Sequence, residues 1–335
     1  MNALGAADGA ATTTSTLHLG FDVGGTKIFG VATDCRGAPH RTLRHATPHG
    51  VEPLLAALAR MAGQLGNGAD VASVGVGMAG LITLDGRVTV SPNLVGVDGA
   101  QIGPGLAQLL DCRITLDNEV NCAARWELSS GAAKDLGHGV MICLGTGIGG
   151  AVMLNDEVLR GFTGLAGEPG HMIVDVEGRQ CGCGRRGCWE MYASGSALDR
   201  MAAERFGDAR SGGPAVIAAT RNGDATAREL LDEFCYWLAL GISNLCILLD
   251  PEMVVIGGGL SEEWDLLAQP TEEHLATLLI GRSAESRPKL VPSEAGELSA
   301  ALGAALLGAQ GHSAALLGAQ GHSAALDPPQ APAQT

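Results

Sequence analysis

Aromatic side chains make up only 3% of the 335 residues, which leaves few rings for stacking on a ligand. Basic residues are also scarce. Lys and Arg number 21 against 36 Asp and Glu, for a formal net charge of −15. That balance argues against a general affinity for nucleic acid or an anionic membrane. It leaves room for a local anion site, because backbone N–H groups can supply the positive potential. The first sixteen residues, MNALGAADGAATTTST, contain no Lys or Arg, which a secretory signal or mitochondrial presequence would need. They are expected to form a disordered lead-in. No uninterrupted apolar run reaches the roughly 18 residues of a membrane span. Nine cysteines are an odd number for a disulfide framework, and three fall within eight residues. This favours a reducing compartment, hence the cytoplasm, and a metal site.

What the chain does have is core and glycine. Hydrophobic residues reach 46%, charged residues 17%, and there are 50 glycines. The length suggests about two domains at roughly 150 residues each. TLHLGFDVGGTKIFGVATD reads as strand, glycine turn, strand, and VASVGVGMAGLI as a second buried strand entering a loop. Between them VEPLLAALARMAGQLG has helical spacing, with Pro53 expected at the first helical position. CRITLDNEVNCAARWELSSG reads as a strand, polar residues and a helix. GVMICLGTGIGGAVMLNDEVLRG repeats the strand, glycine turn, strand pattern. ATARELLDEFCYWLALGISNLCILLDP is a long apolar helix, followed by the strand EMVVIGGGLS. The mixture predicts an α/β protein.

Three strands therefore run into glycines: Asp22-Val23-Gly24-Gly25-Thr26-Lys27, Leu144-Gly145-Thr146-Gly147-Ile148, and Gly257-Gly258-Gly259. Glycines free the backbone N–H groups to approach an anion, and a Thr hydroxyl adds a donor. A carboxylate at a strand end suits Mg²⁺ bound to a phosphate, since Mg²⁺ takes oxygen ligands and keeps its waters. Any one such turn is more often only a turn. Three in order, the first opening with Asp, point to a phosphate ligand. None fits the P-loop or the dinucleotide fingerprint. Asp117, Asn118 and Glu119 stand between a strand and a helix. A carboxylate there is placed to take a proton from a hydroxyl; the same cluster also reads as an N-cap. Asn93, after Pro92, reads alone as a turn.

The stretch GEPGHMIVDVEGRQCGCGRRGCWE holds His171, Cys181, Cys183 and Cys188. One nitrogen and three sulfurs fill a tetrahedral zinc and leave no open position, so they describe a structural site. The alternative is a reduced thiol cluster. In the first reading the zinc is a clip, and Glu168 and Glu190 are the groups it positions. His171 then binds zinc through one ring nitrogen and faces a substrate through the other.

Taken together, these residues resemble the ROK family of sugar kinases, repressors and related proteins. GEPGHM…CGCGRRGCWEMYASG resembles its signature, FDVGGTK its first phosphate loop, LGTGIGG its second and VVIGGGLS its adenosine segment. The resemblance covers about Leu17 to Ala309. It implies a two-domain, actin-like (ribonuclease H-like) ATPase fold, with ATP and Mg²⁺ in the interdomain cleft. The expected division is a small α/β domain over 17–118, joined by a C-terminal helix at about 299–314, and a large α/β domain with the zinc over 119–298. The resemblance further implies that Asn93, Asn118, Glu168, His171 and Glu190 hold sugar hydroxyls. Gly24, Gly25, Thr26, Gly145, Thr146 and Gly147 would hold phosphates, Gly257 and Gly258 the nucleotide, and Asp22 would face Mg²⁺ through water. Lys27 either helps there or pairs with a surface carboxylate. Two departures stand out. The family usually reads Glu-Asn-Asp where this chain has Asp117-Asn118-Glu119, so the base position carries the longer Glu119. Pro169 stands where the family usually has an aliphatic or aromatic residue, which stiffens the loop.

The expected activity is ATP-dependent phosphorylation of a hexose at its 6-hydroxyl, foremost glucose, by a dimer or tetramer. N-acetylmannosamine and N-acetylglucosamine kinases, and a sugar-binding ROK protein with weakened catalysis, are the alternatives. A repressor of the family would need a DNA-binding segment ahead of Leu17, and the sixteen residues there fit none. Finally, ALLGAQGHSA occupies Ala305–Ala314 and recurs without change over Ala315–Ala324. The first copy is expected to continue a helix. Residues 315–335 are read as a local duplication running into a disordered tail rich in Pro and Gln, with no function.

Overall fold

The structure, a computed structural model, describes residues 16–207 and 212–311. The lead-in and the second decamer lie outside the described residues. The chain forms two five-stranded sheets that share one plan. In the first, β1 (Leu17–Val23) and β2 (Lys27–Thr33) form the hairpin around the first glycine turn, and β3 (Pro39–Ala46) adds an outer antiparallel strand. Helix α1 (Val51–Gly66) leads to β4 (Val71–Met78), which pairs parallel to β1. A small two-stranded ribbon, β5 (Leu81–Ile82) with β6 (Val88–Val90), and the short α2 (Ile102–Ala107) precede β7 (Arg113–Asn118), parallel to β4. The order is β3-β2-β1-β4-β7.

Helix α3 (Glu119–Ser130) leads to the second sheet. Its hairpin is β8 (His138–Leu144) and β9 (Ile148–Leu154), extended by β10 (Glu157–Val158). After the cysteine-rich segment come α4 (Glu190–Ala193), α5 (Gly195–Phe206), α6 (Gly212–Arg221) and α7 (Ala225–Leu249). Then β11 (Met253–Gly257) pairs parallel to β8, α8 (Trp264–Leu278) follows, and β12 (Lys289–Pro292) pairs parallel to β11. The order is β10-β9-β8-β11-β12. Helix α9 (Ser299–Gln310) ends the described chain.

The last helix crosses back. It lies on the first sheet, so close that a Cβ on Gly20 would meet the Ala301 carbonyl oxygen, and one on Gly75 the Ala304 carbonyl oxygen. Glycine is required at both strand positions because backbone passes against backbone. Helix α3 crosses the other way, with Val120 against Gly149 of β9. The two helices meet where Gly303 abuts Cys122.

Each sheet has its own core. Leu19, Phe21, Leu54, Leu58, Met61 and Val76 pack in the first. Leu230, Phe234, Leu238, Ile242 and Trp189 pack in the second. Helix α7 is long and apolar enough to cross a membrane by length and composition, but its apolar residues supply the centre of the second core.

Two local expectations change. Helix α1 starts at Val51 after an N-cap at Gly50, so Pro53 is its third residue and not its first. Proline is tolerated there because the first-turn N–H groups have no partner inside the helix. Strand β3 is an unforeseen element. Its residues are almost all exposed, and an outer strand paired on one edge carries no apolar alternation.

Candidate active site and metal cluster

The first two glycine turns are tight. The Gly24 N–H donates to the Lys27 carbonyl at 3.0 Å, and the Gly145 N–H to the Gly147 carbonyl at 3.0 Å. The Thr47 hydroxyl donates to the Gly24 carbonyl at 2.6 Å and fixes the first turn from outside. A Cβ on Gly25 would meet the Asn93 carbonyl oxygen at 2.5 Å, so the Asn93 loop lies directly on the first turn. The second and third turns also adjoin. A Cβ on Gly258, whose φ is 81°, would meet the Leu144 carbonyl oxygen at 2.5 Å. Only glycine satisfies both the left-handed φ and that contact. Gly145 has open space before it, and its carbonyl accepts from the N–H of Gly195, the first residue of α5.

The acidic trio sorts into three roles. Asn118 is the N-cap of α3, its side-chain oxygen accepting from Val120 N–H at 2.7 Å and Asn121 N–H at 3.3 Å. The amide of Asn118 donates to Glu119 Oε2 at 2.8 Å and to the Gly80 carbonyl at 3.1 Å. Asp117 is fully buried and turned to structure. Its Oδ1 accepts from the Asn121 amide at 2.9 Å and lies 3.2 Å from Arg160 Nε; its Oδ2 lies 3.7 Å from Arg125 Nη2. Among the described residues Glu119 has no cationic partner. Burial, and then the charges of Asp22, Glu168 and Asp117, push its carboxyl up to about 8. Asp22 is raised to about 6, chiefly by burial, with Lys27 opposing and Glu297 adding to the rise. Glu168 is raised to about 7 by burial and by Glu190. These carboxyls thus form one electrostatic neighbourhood at the strand ends. Lys27 is directed elsewhere, its Nζ 2.7 Å from Glu297 Oε1.

The cysteine-rich segment packs beside them. Pro169 opens a short 3-10 turn over Pro169–His171 and sits on β9, where a Cβ at Gly150 would strike its ring. The ligand atoms of His171, Cys181, Cys183 and Cys188 all lie within 4.8 Å of one another. Cys183 Sγ is 3.5 Å from Cys188 Sγ, and Cys181 Sγ is 3.8 Å from His171 Nδ1. Sulfurs at ~2.3 Å from a tetrahedral zinc stand roughly 3.8 Å apart, so the donor set and spacing fit such an ion. His171 Nδ1 faces the cluster, leaving Nε2 as the second nitrogen. Glu190 Oε1 reaches the cluster's rim, 3.0 Å from Cys181 Sγ and 3.5 Å from His171 Nδ1. A Cβ on Gly147 would meet Glu190 Oε2, which brings the second glycine turn against the same carboxylate.

Sequence reasoning missed what anchors this segment. Trp189 is fully buried beneath Glu190, donates to the Trp237 carbonyl at 2.8 Å and occupies the space that Gly241 leaves on α7. The Tyr192 hydroxyl donates to Asp175 at 2.9 Å and accepts from Arg179 N–H at 2.9 Å. A glycine inside a long apolar helix was the one available signal for the first anchor.

Known proteins bear on this arrangement. The ROK family profile matches residues 18–310. A glucokinase of Streptomyces coelicolor is 33% identical over 313 residues, covering 86% of this chain and 96% of its own. An N-acetyl-D-glucosamine kinase of Citrobacter koseri is 32% identical over 257 residues, covering 73% and 84%. The crystal structure of a ROK family glucokinase from Streptomyces griseus, in complex with glucose and AMPPNP, superposes with a TM-score of 0.78 at 32% identity, covering 88% of this chain and 99% of that one. The actin-like α/β plan that the family resemblance implied is therefore the fold, and this chain is a member of the ROK family.

Proposed function

We propose that this protein transfers the γ-phosphoryl group of ATP to the 6-hydroxyl of a hexose, with glucose the preferred acceptor. The observation that carries the reading is Glu119: a carboxyl raised to about 8, free of any cationic partner among the described residues, held by Asn118 at 2.8 Å at the start of α3. A general base needs a pKa near the working pH and a position beside the attacking hydroxyl. Asp117 is a poor candidate for that role, since Arg125, Arg160 and Asn121 engage it. The Streptomyces relatives support glucose and ATP as substrates.

In this reading Asn93, Asn118, Glu168, His171 and Glu190 hold sugar hydroxyls. Their amide, carboxylate and imidazole groups suit a polyhydroxylated ligand in a chain with few rings. The turns of Gly24, Gly25 and Thr26 and of Gly145, Thr146 and Gly147 hold the phosphates: the Gly24 and Gly145 N–H groups close the turns, the other backbone N–H groups face the phosphates, and Gly257 and Gly258 lie along the nucleotide. Lys27 contributes little, because Glu297 engages it. Mg²⁺ arriving with ATP would neutralise the developing phosphate charge. Asp22 would hold the ion through its waters, and Glu119 takes the hydroxyl proton. The functional division runs 17–118 with α9 against 119–298. His171, Cys181, Cys183 and Cys188 hold a structural zinc that keeps the Glu168–Glu190 segment in place.

We place the protein in the cytoplasm, where nine unpaired cysteines remain reduced. Exposed apolar side chains at Leu248 (75%) and Ile280 (85%) support self-association as a dimer or tetramer, which light scattering tests. The Citrobacter relative favours a second reading, an N-acetylhexosamine kinase. Coupled assays of ADP release with glucose, N-acetylglucosamine and N-acetylmannosamine, each with ATP, GTP and polyphosphate, decide. Glucose with ATP should give the highest kcat/KM. Higher values with an N-acetylated sugar would replace glucose in the proposal, and no turnover of any sugar would leave only a binding protein.

A further inference from the structure

A cavity of about 770 Å³ lies apart from the residues of the candidate active site. It lies between β7, the edge strand of the first sheet, and β10, the edge strand of the second, with α2, α3 and α9 contributing walls. No residue of the three glycine turns or of the metal cluster lines it. Its size is that of a small-molecule site.

Its lining is two-sided. Leu84, Leu116, Leu154, Leu159 and Leu307 provide an apolar wall. Arg125, Arg160 and Thr115 provide donors. Arg125 is only 8% exposed, and its Nε has no hydrogen-bond partner among the described residues; nor has the buried Thr115 hydroxyl. Both guanidiniums converge on one carboxylate, Asp117, Arg160 at 3.2 Å and Arg125 at 3.7 Å, and Asp117 Oδ2 forms no hydrogen bond among the described residues. One buried cation, Arg125, and one partly buried one, Arg160, which also donates to the Ile82 carbonyl at 3.3 Å, stand against one anion and leave an unbalanced positive charge. Buried charge is costly unless paired and hydrogen-bonded. Asp85 and Glu157 also line the cavity, but both are exposed and neither pairs with these arginines. Their charges disfavour a multiply charged ligand.

We propose that this cavity is a second ligand site, for a small organic monoanion with an apolar body. Its carboxylate completes the charge balance of Arg125 and Arg160, and its hydrocarbon part lies among the leucines. The ligand and Asp117 share both arginines, so weakening the inner pair strengthens the outer one. The site is independent of the kinase reading.

Calorimetry on the full chain tests it, with hexanoate as the probe and hexan-1-ol, hexylamine and acetate as controls. Hexanoate should bind once per chain, at least tenfold tighter than the alcohol or amine, and acetate far more weakly. Arg125→Met should weaken hexanoate tenfold or more. Ala107→Trp, which fills the cavity from an exposed lining position without touching the charges, should do the same and serves if the arginine variant fails to fold. Asp117→Asn should tighten binding severalfold. Equal binding of hexanoate and hexanol, or hexanoate binding that survives Ala107→Trp, would overturn the proposal. So would binding seen only after truncation at Ala314, because the protein's own tail would then be the occupant.

Discussion

In the first sheet the strand before the glycine turn ends Phe21-Asp22-Val23; its counterpart in the second ends Ile142-Cys143-Leu144. The two sheets share strand order and direction, so Asp22 and Cys143 occupy equivalent places, one residue short of the end. The next equivalent ends differ as well. Strand β7 runs straight into α3 and delivers Asp117, Asn118 and Glu119. Strand β12 ends in Pro292, after which Ser293 donates to Glu127 of α3, a structural bond. The first sheet thus puts Asp22 and Glu119 at strand ends facing the site, with Asp117 between them turned into structure. The second contributes glycine backbone there, and its carboxylates, Glu168 and Glu190, arrive on the inserted segment between β10 and α5. One frame carries two kinds of equipment, and the residues at the strand ends decide which. Gly75 and Gly20 keep the frame itself intact, by letting α9 close on the first sheet.

The sharpest test of that asymmetry is Glu119. Glu119→Gln should lower kcat by about a hundredfold or more, the usual share of base catalysis. KM for glucose should move less, because the amide keeps the shape. In the wild type kcat/KM should rise with pH up to about 8, since the base works only when ionised and burial holds it protonated below that value. The stability effect has a definite sign. A carboxyl raised from 4.5 to about 8 favours folding when protonated, and that contribution is lost as pH rises through the folded value. Glu119→Gln should therefore raise Tm relative to wild type at pH 9, and change it little at pH 4. A variant with full activity, or a flat Tm difference across pH, would remove Glu119 from the role.

The second sheet's insertion is tested by its thiols. Cys183→Ser or Cys188→Ser should lose bound zinc and most activity together, because the cluster holds the segment that carries Glu168 and Glu190. Elemental analysis should find about one zinc per wild-type chain. A metal-free wild type with full activity would show that the anchors at Trp189 and Tyr192 suffice without an ion.

Swapping the equivalent positions gives intermediate effects. Asp22→Asn should cut turnover by roughly tenfold, with the loss in the dependence on Mg²⁺ and ATP. Cys143→Ser, at the matching place, should stay within about twofold. Asp117→Asn should leave kcat within a few-fold of wild type but lower Tm, since it removes the counter-charge of the buried Arg125 and the partly buried Arg160. If Asp117→Asn is the dead variant at temperatures where it is folded, the base has been assigned to the wrong carboxylate.

How much of this was legible depended on sequence distance. Asn118 caps its own helix two residues on, and the four candidate zinc ligands fall within eighteen residues, so local spacing was enough to bring them together. The glycine turns were legible because buried strands flank them. The partners of Asp117 were not: Arg160 lies 43 residues away, and nothing in a single arginine says which carboxylate it meets. Lys27 and Glu297 are 270 residues apart, and the sequence left both roles open for the lysine. Strand β3 was hidden because PHRTLRHA is polar on both faces, and Trp189 because its socket is the absence of a side chain at Gly241.

The smallest expected effect concerns the C-terminal end, where the comparison reduces to one helix and its repeat. Helix α9 buries Ala301, Leu302, Ala304, Ala305 and Leu307, and ends at Gln310 with Gly311 in the left-handed conformation, φ 59°. That is a helix stop, since glycine past the last turn takes this φ without strain. The first copy of the decamer therefore does its packing through Ala305–Gly308, before its own glycine and serine. The second copy, Ala315–Ala324, repeats those apolar residues in sequence and lies outside the described residues. Truncation after Ala314 should leave kcat unchanged and Tm within about a degree, as surface changes away from packed features usually do. A truncation before Ala301 should instead unfold the protein, because it removes Gly303 and Ala304, which lie against Cys122 and Gly75. A fall of several degrees on removing the second copy alone would show that it packs on the body, and would make the duplication part of the fold.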